Sequence, residues 1–225
     1  MPSIDVAAIL FDLDGVLVDS KQAVENAWRE WATAQALDPE FVLRTAHGLR
    51  TADVIRRVAP HLSAADEAQR LEAAESVRVR GLRRIAGVDT VVAVLPAGRW
   101  AVVTSGMRTM AEHRLRFAGL PVPAVMICAD DVQRGKPDPE GYLAAARALG
   151  VAADECVVVE DAPNGIDAAR AAGAQVIAVR TTYADDALHR ANFVVDSVAS
   201  LRVAVSGARL HISFPSTPGP HTPPT

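Results

Sequence analysis

Short apolar runs that stop at polar or glycine-rich turns punctuate the chain. They are "VAAILFD" (6–12), "RWAVVTS" (99–105), "AVMICADD" (124–131), "ECVVVED" (155–161), "QVIAVR" (175–180) and "NFVVDS" (192–197). Each is too short for an ordinary helix and rich in Val and Ile, so each predicts a strand. From residue 99 onward, helical segments lie between them. Met107–Ala118 stops at Gly119, and Pro163–Ala172 stops at Gly173. Pro139–Leu149 follows Asp138, a good N-cap, and stops at Gly150. Strand–helix alternation predicts an α/β fold, a Rossmann-like parallel sheet with helices on both faces.

Residues 21 to about 86 read differently. Ala, Glu, Arg and Leu dominate, and no strand-like run occurs. Helix starts are marked at Asp38-Pro39 and at Ser63-Ala-Ala-Asp66, a capping-box pattern. This predicts a four-helix insertion after the first strand, too long for an ordinary loop and placed to act as a lid. Trp28 and Trp31 lie one turn apart and should pack in its core. The arginines of 78–84 read as a solvated helix face. The expected organisation is a core from 1–18 and 88–205, with a helical-bundle cap domain at 19–87. A hairpin around Ser206-Gly207 in "LRVAVSGARLHISF" (201–214) would have its second strand in 206–215. The Pro/Thr-rich stretch 216–225 should be a disordered tail.

Composition narrows the function classes. The chain has 225 residues, half of them hydrophobic, enough for a large core. A net charge of −4 with acids and bases interspersed gives no case for nucleic acid. No apolar stretch reaches membrane-spanning length, and the start "MPSID" has no signal-peptide pattern. A cytoplasmic protein is expected, a monomer or weak homodimer. Cys128 and Cys156 lie in or beside strand-like runs with no metal spacing, which points to buried reduced thiols.

In an α/β sheet, ligands bind beyond the carboxyl ends of the strands. The first strand ends at Asp12 and Asp14. The next ends at Thr104, Ser105 and Gly106, just before a helix. The third leads into "RGKPDP" with Lys136, and the fourth ends at Glu160 and Asp161. Clustered carboxylates suit a hard cation such as Mg²⁺. The N–H groups of Ser105 and Gly106 can bind phosphate oxygens, and Lys136 can neutralise a phosphate and an aspartate together. This is equipment for phosphoryl transfer. Asn164 and Gly165 shape the turn beside it, with Asn164 a possible neighbour of the site. Asp19, at the strand–cap junction, stands where Asp commonly caps a helix.

"DLDGVLVDS", "TSG", "GKPDP" and "VVEDAPNGI" resemble, in order, the four motifs of the haloacid dehalogenase superfamily, in its subgroup of phosphatases with a helical cap after the first strand. The resemblance spans about residues 6–200. It implies that Asp12 is the nucleophile and forms an aspartyl-phosphate. Asp14 would be the general acid and then the base. Mg²⁺ would be held by Asp12, the Asp14 carbonyl and Asp161, with Glu160 as ligand or neighbour. Thr104 and Lys136 would bind the phosphoryl group. Members that cleave carbon–halogen bonds lack the acid two residues after the nucleophile, so Asp14 favours phosphoryl transfer.

The segment "AHGLRTADVI" (46–55) resembles the cap of glycerol-phosphate and 2-deoxyglucose-6-phosphate phosphatases. His47, Gly48 and Arg50 are therefore candidates to reach a small phosphorylated metabolite, a sugar or polyol phosphate. The β-phosphoglucomutase branch carries a histidine in the first cap helix. The matching position here is near Val24, flanked by Ala23 and Glu25. A mutase-like transferase, a phosphoglycolate phosphatase and a non-catalytic phosphometabolite sensor are the alternatives.

Overall fold

The computed structural model describes residues 1–46, 49–76, 79–215 and 217–218. In chain order the strands are β1 (Ser3–Val6), β2 (Ala8–Phe11) and β3 (Val18–Asp19), followed by helices α1 (Lys21–Ala34), α2 (Pro39–Ala46), α3 (Thr51–Val58) and α4 (Ala64–Ser76). Then come β4 (Arg83–Arg84), α5 (Val88–Ala93), β5 (Trp100–Val103), α6 (Arg108–Phe117), β6 (Val125–Ile127) and α7 (Glu140–Leu149). The remainder is β7 (Cys156–Glu160), α8 (Pro163–Ala171), β8 (Gln175–Val179), α9 (Asp185–Leu188), β9 (Phe193–Val195), β10 (Arg202–Ser206), β11 (Arg209–Ser213) and β12 (Thr217–Pro218).

Six strands form a parallel sheet in the order β9-β8-β7-β2-β5-β6. Its central strands are apolar without interruption because both faces are covered. Side chains alternate along β2: Ala8 and Leu10 pack with α7 and α8, while Ile9 and Phe11 pack with α5 and α6. The run 6–12 is not one strand. The chain breaks at Ala7, and β1 joins the hairpin β10–β11 in a separate antiparallel sheet. Leu210, Ile212 and Phe214 of that hairpin region bury against the α5–α6 side of the core.

Two other expectations are corrected. Arg83 and Arg84 do not lie on a helix: they form β4, which pairs antiparallel with β3 at the strand–cap junction. Thr217 and Pro218, expected in a disordered tail, add β12 antiparallel to β9, with Thr217 opposite Val194. β9 is an edge that offers free backbone groups, and an edge tolerates proline. The rest of 216–225 lies outside the described residues.

The four inserted helices enclose their own apolar cluster of Ala27, Trp28, Trp31, Val42, Ile55 and Leu71, among others. On α1 the buried positions 23, 27, 28, 31 and 32 form one stripe at helical spacing. Trp28 and Trp31 meet edge to face with centroids 5.5 Å apart, a contact worth about 0.5–1.5 kcal/mol beyond burial. The Trp31 indole N–H donates to Glu67 at 2.9 Å. Asp38 accepts from the Glu40 N–H and Ser63 from that of Asp66 at the starts of α2 and α4. No helix among the described residues is long and apolar enough to cross a membrane.

Candidate active site

β2, β5 and β7 end side by side, so their terminal residues face one cavity of about 480 Å³. Asp12, Thr104, Lys136, Glu160 and Asp161 line it from the sheet. Gln22, Glu25, Trp28 and Leu43 line it from the inserted helices. Asp12, Thr104, Glu160 and Asp161 are all buried.

Lys136 reaches in from the loop after β6. Its Nζ donates to Asp12 Oδ1 at 2.5 Å, to Glu160 Oε1 at 2.7 Å and to the Val103 carbonyl at 3.2 Å. The Tyr142 hydroxyl also donates to Glu160 Oε1, and Glu160 Oε2 accepts from the N–H groups of Asp161 and Ala162. All four acceptor positions of Glu160 are thereby used. The fit is close: a Cβ on Gly165 would lie 1.5 Å from Glu160 Oε1. Gly15 meets two demands together. Its φ is +82°, and a Cβ there would lie 1.9 Å from Asp161 Oδ2.

Asp12, Glu160 and Asp161 offer oxygens within 4.8 Å of one another. Buried carboxylates outnumber the one ammonium between them, and their electrostatics follow. Burial pushes the Asp12 carboxyl up to about 8; Lys136 opposes this, while Glu160 and Asp14 add to it. Burial, then Glu160 and Asp12, also push Asp161 well above the usual range, against the Thr182 hydroxyl bonded to it. For Lys136, burial acts downward, but Asp12 and Glu160 overcome it and hold the ammonium well above its ordinary value. Such a group of crowded, desolvated oxygens suits a hard divalent cation.

Asp14 sits on the next turn and is less buried than Asp12. Its Oδ1 accepts from Ser20 Oγ at 2.5 Å and from Arg114 Nη1 at 2.6 Å. Thr104 Oγ accepts from the Gly106 N–H at 3.1 Å, and Ser105 lines the cavity beside it. Asn164 lies in the first turn of α8, one residue from Gly165.

The cap candidates are placed differently. His47 and Gly48 lie outside the described residues. Arg50 does not line the large cavity. Its guanidinium donates to the backbone carbonyls of Ala129, Val132 and Gln133, beyond β6. Asp19 does not cap α1 either: it pairs with Arg83 at 2.8 Å. The side chain at the N-cap, Ser20, turns to Asp14 instead.

Sequence reasoning missed Arg114, Tyr142, Thr181 and Thr182. Thr181 donates to the Gly15 carbonyl. Both threonines follow β8, so the rule that sites form at strand ends would have found them. Arg114 stands on the buried stripe of α6 with Met110, Ala111 and Leu115. A cation at an apolar helical position was the signal. Cys128 and Cys156 are free and buried, and burial pushes the Cys156 thiol up to about 11.

Residues 6–173 match the haloacid dehalogenase-like hydrolase family. The chain belongs to that family. The hydrolase is 43% identical over 199 residues to hexitol phosphatase A of Escherichia coli, covering 86% of this chain and 92% of the other. It is 35% identical to glycerol-1-phosphate phosphohydrolase 2 of Saccharomyces cerevisiae, over 89% and 86% of the two chains. Among solved structures it resembles CbbY from Rhodobacter sphaeroides in complex with phosphate. That likeness has a TM-score of 0.72 at 27% identity, over 86% of this chain and 95% of the other.

Proposed function

We propose that this hydrolase removes phosphate from a small sugar or polyol phosphate monoester by way of an aspartyl-phosphate on Asp12. What carries the reading is the convergence of Asp12, Thr104, Lys136 and Asp161 on one cavity, in a chain whose relatives include hexitol and glycerol-1-phosphate phosphatases. In the first step an Asp12 oxygen bonds to phosphorus as the ester P–O bond breaks, and Asp14 gives its proton to the leaving alkoxide. In the second, Asp14 takes a proton from water, the water oxygen bonds to phosphorus, and the Asp12–phosphorus bond breaks.

Lys136 neutralises charge on Asp12 and on the transferring group. Thr104 and Ser105 hold phosphoryl oxygens. Glu160, with its oxygens already occupied, orients Lys136 and the turn into α8. Mg²⁺ held by Asp12, Asp161 and the Asp14 carbonyl would offset the phosphoryl charge when bound. Gln22, Glu25 and Arg83 offer polar groups to hydroxyls of the organic part. No histidine lines the cavity among the described residues, which speaks against a phosphoglucomutase-like shuttle.

A phosphate-release screen across polyol, sugar and carboxylate phosphates tests this. Hexitol and glycerol phosphates should lead. Preference for phosphoglycolate, or isomerisation of hexose 1-phosphate without free phosphate, would overturn the substrate assignment.

A further inference from the structure

Arg114 is only 3% exposed, yet its two terminal nitrogens serve different parts of the molecule. Nη1 donates to Asp14 Oδ1 at 2.6 Å, in the turn after β2. Nη2 donates to Glu75 Oε2 at 2.8 Å, on the last inserted helix, α4. α4 packs against α6, which carries Arg114. Desolvating a guanidinium costs several kcal/mol, and an apolar side chain of similar volume usually serves stability as well or better. A buried arginine that spans a site carboxylate and a cap carboxylate therefore points to a role beyond packing.

We propose that Arg114 is a positioning residue that couples closure of the inserted helices to the setting of Asp14, with Glu75 as its partner on the cap. The proposal rests on Asp14 being the proton donor. Arg114 and Asp14 both belong to the sheet domain, so their contact survives any movement of α4. The contact with Glu75 does not. With α4 withdrawn, the planar fork can grip Asp14 through both nitrogens. With α4 docked, Glu75 engages Nη2 and limits the grip to Nη1 and Oδ1. Asp14 Oδ2, which receives no hydrogen bond among the described residues, is then left for the leaving oxygen. The proton donor is set only when the cavity is shut.

The experiment compares kcat/KM for an alkyl ester, sorbitol 6-phosphate, with that for p-nitrophenyl phosphate, whose leaving group needs no proton. Asp14→Asn, Arg114→Met and Glu75→Gln are each measured with a thermal melt. Asp14→Asn should lose the alkyl ester selectively. Arg114→Met and Glu75→Gln should lose about 10–100-fold on the alkyl ester and less than about threefold on the aryl ester. If Arg114→Met does not fold, Glu75→Gln carries the same comparison. Equal losses on both esters, or none, in Arg114→Met and Glu75→Gln while Asp14→Asn is selective would overturn the coupling alone. An Asp14→Asn enzyme that loses both esters equally would overturn the proton-donor reading and the coupling with it.

Discussion

Lys136 Nζ and Asp12 Oδ1, 124 residues apart in sequence, lie 2.5 Å apart in a buried pair. The ammonium is shared with Glu160, so one cation serves two carboxylates directly. Removing it takes the cation from two desolvated carboxylates, although Glu160 keeps the Tyr142 hydroxyl and the Asp161 and Ala162 N–H groups. Lys136→Met should therefore destabilise the metal-free protein by about 3–5 kcal/mol and lower kcat by roughly 10³-fold. Thermal melts with and without Mg²⁺ check the first part, with Mg²⁺ recovering some of the loss. Initial rates check the second. A variant as stable as the parent would show that the pair contributes nothing net.

The raised Asp12 carboxyl sets a pH dependence. Its folded value, about 8, exceeds the ordinary 3.8. The folded state then binds more protons than the unfolded chain between those values. Stability from this group is complete below about pH 4 and is lost as pH rises through 8. In EDTA, this group should lower the melting temperature from pH 5 to pH 8. Mg²⁺ should oppose the fall, since the cation needs the ionised form. Identical slopes with and without Mg²⁺ would contradict the carboxylate site. EDTA should also abolish turnover, and Mg²⁺ should restore it.

The meeting of the site's side chains in one cavity was readable because it obeys local rules. Strands bounded by polar turns fix where a sheet ends, and residues just past those ends share one edge whatever the intervening loops do. Asp12, Thr104, Glu160 and Asp161 were reached that way, and Lys136 through the "RGKPDP" stretch into which the third run leads. The cap was less readable. Its helices showed in their composition and start signals, but side-chain directions depend on how the helices dock on the sheet. Arg50 reads in sequence like a substrate contact, yet it turns to backbone carbonyls of the loop after β6. Arg83 and Asp19 pair across a two-residue ladder too short to leave a periodic signal. Arg114 was visible only as a charge on an apolar stripe.

The placement of Arg50 makes it a clasp between inserted helices and sheet domain. Arg50→Ala removes three donations to carbonyls. With bonds to a charged group worth about 1.5–3 kcal/mol, the closed form should lose at least roughly tenfold in population. kcat/KM should fall by a similar factor, and limited proteolysis within 35–50 should accelerate. Unchanged proteolysis would remove Arg50 from the docking contact.

Gly165 leaves space that the Glu160 carboxylate fills. Gly165→Ala should displace Glu160, cost about 1–3 kcal/mol and weaken activity through the loss of Lys136 orientation. A melt and a rate measurement on the purified variant decide this. Wild-type values in both would show that α8 can retreat without disturbing the site.

The central claim is that Asp12 becomes covalently phosphorylated. Rapid mixing with ³²P-labelled sorbitol 6-phosphate, acid quench and borohydride reduction would convert an aspartyl-phosphate to homoserine. Peptide mapping should then find homoserine at position 12 alone. Asp12→Asn should give none and release phosphate at least about 10⁴-fold more slowly while remaining folded. Homoserine elsewhere, or sustained phosphate release by Asp12→Asn, would contradict the account.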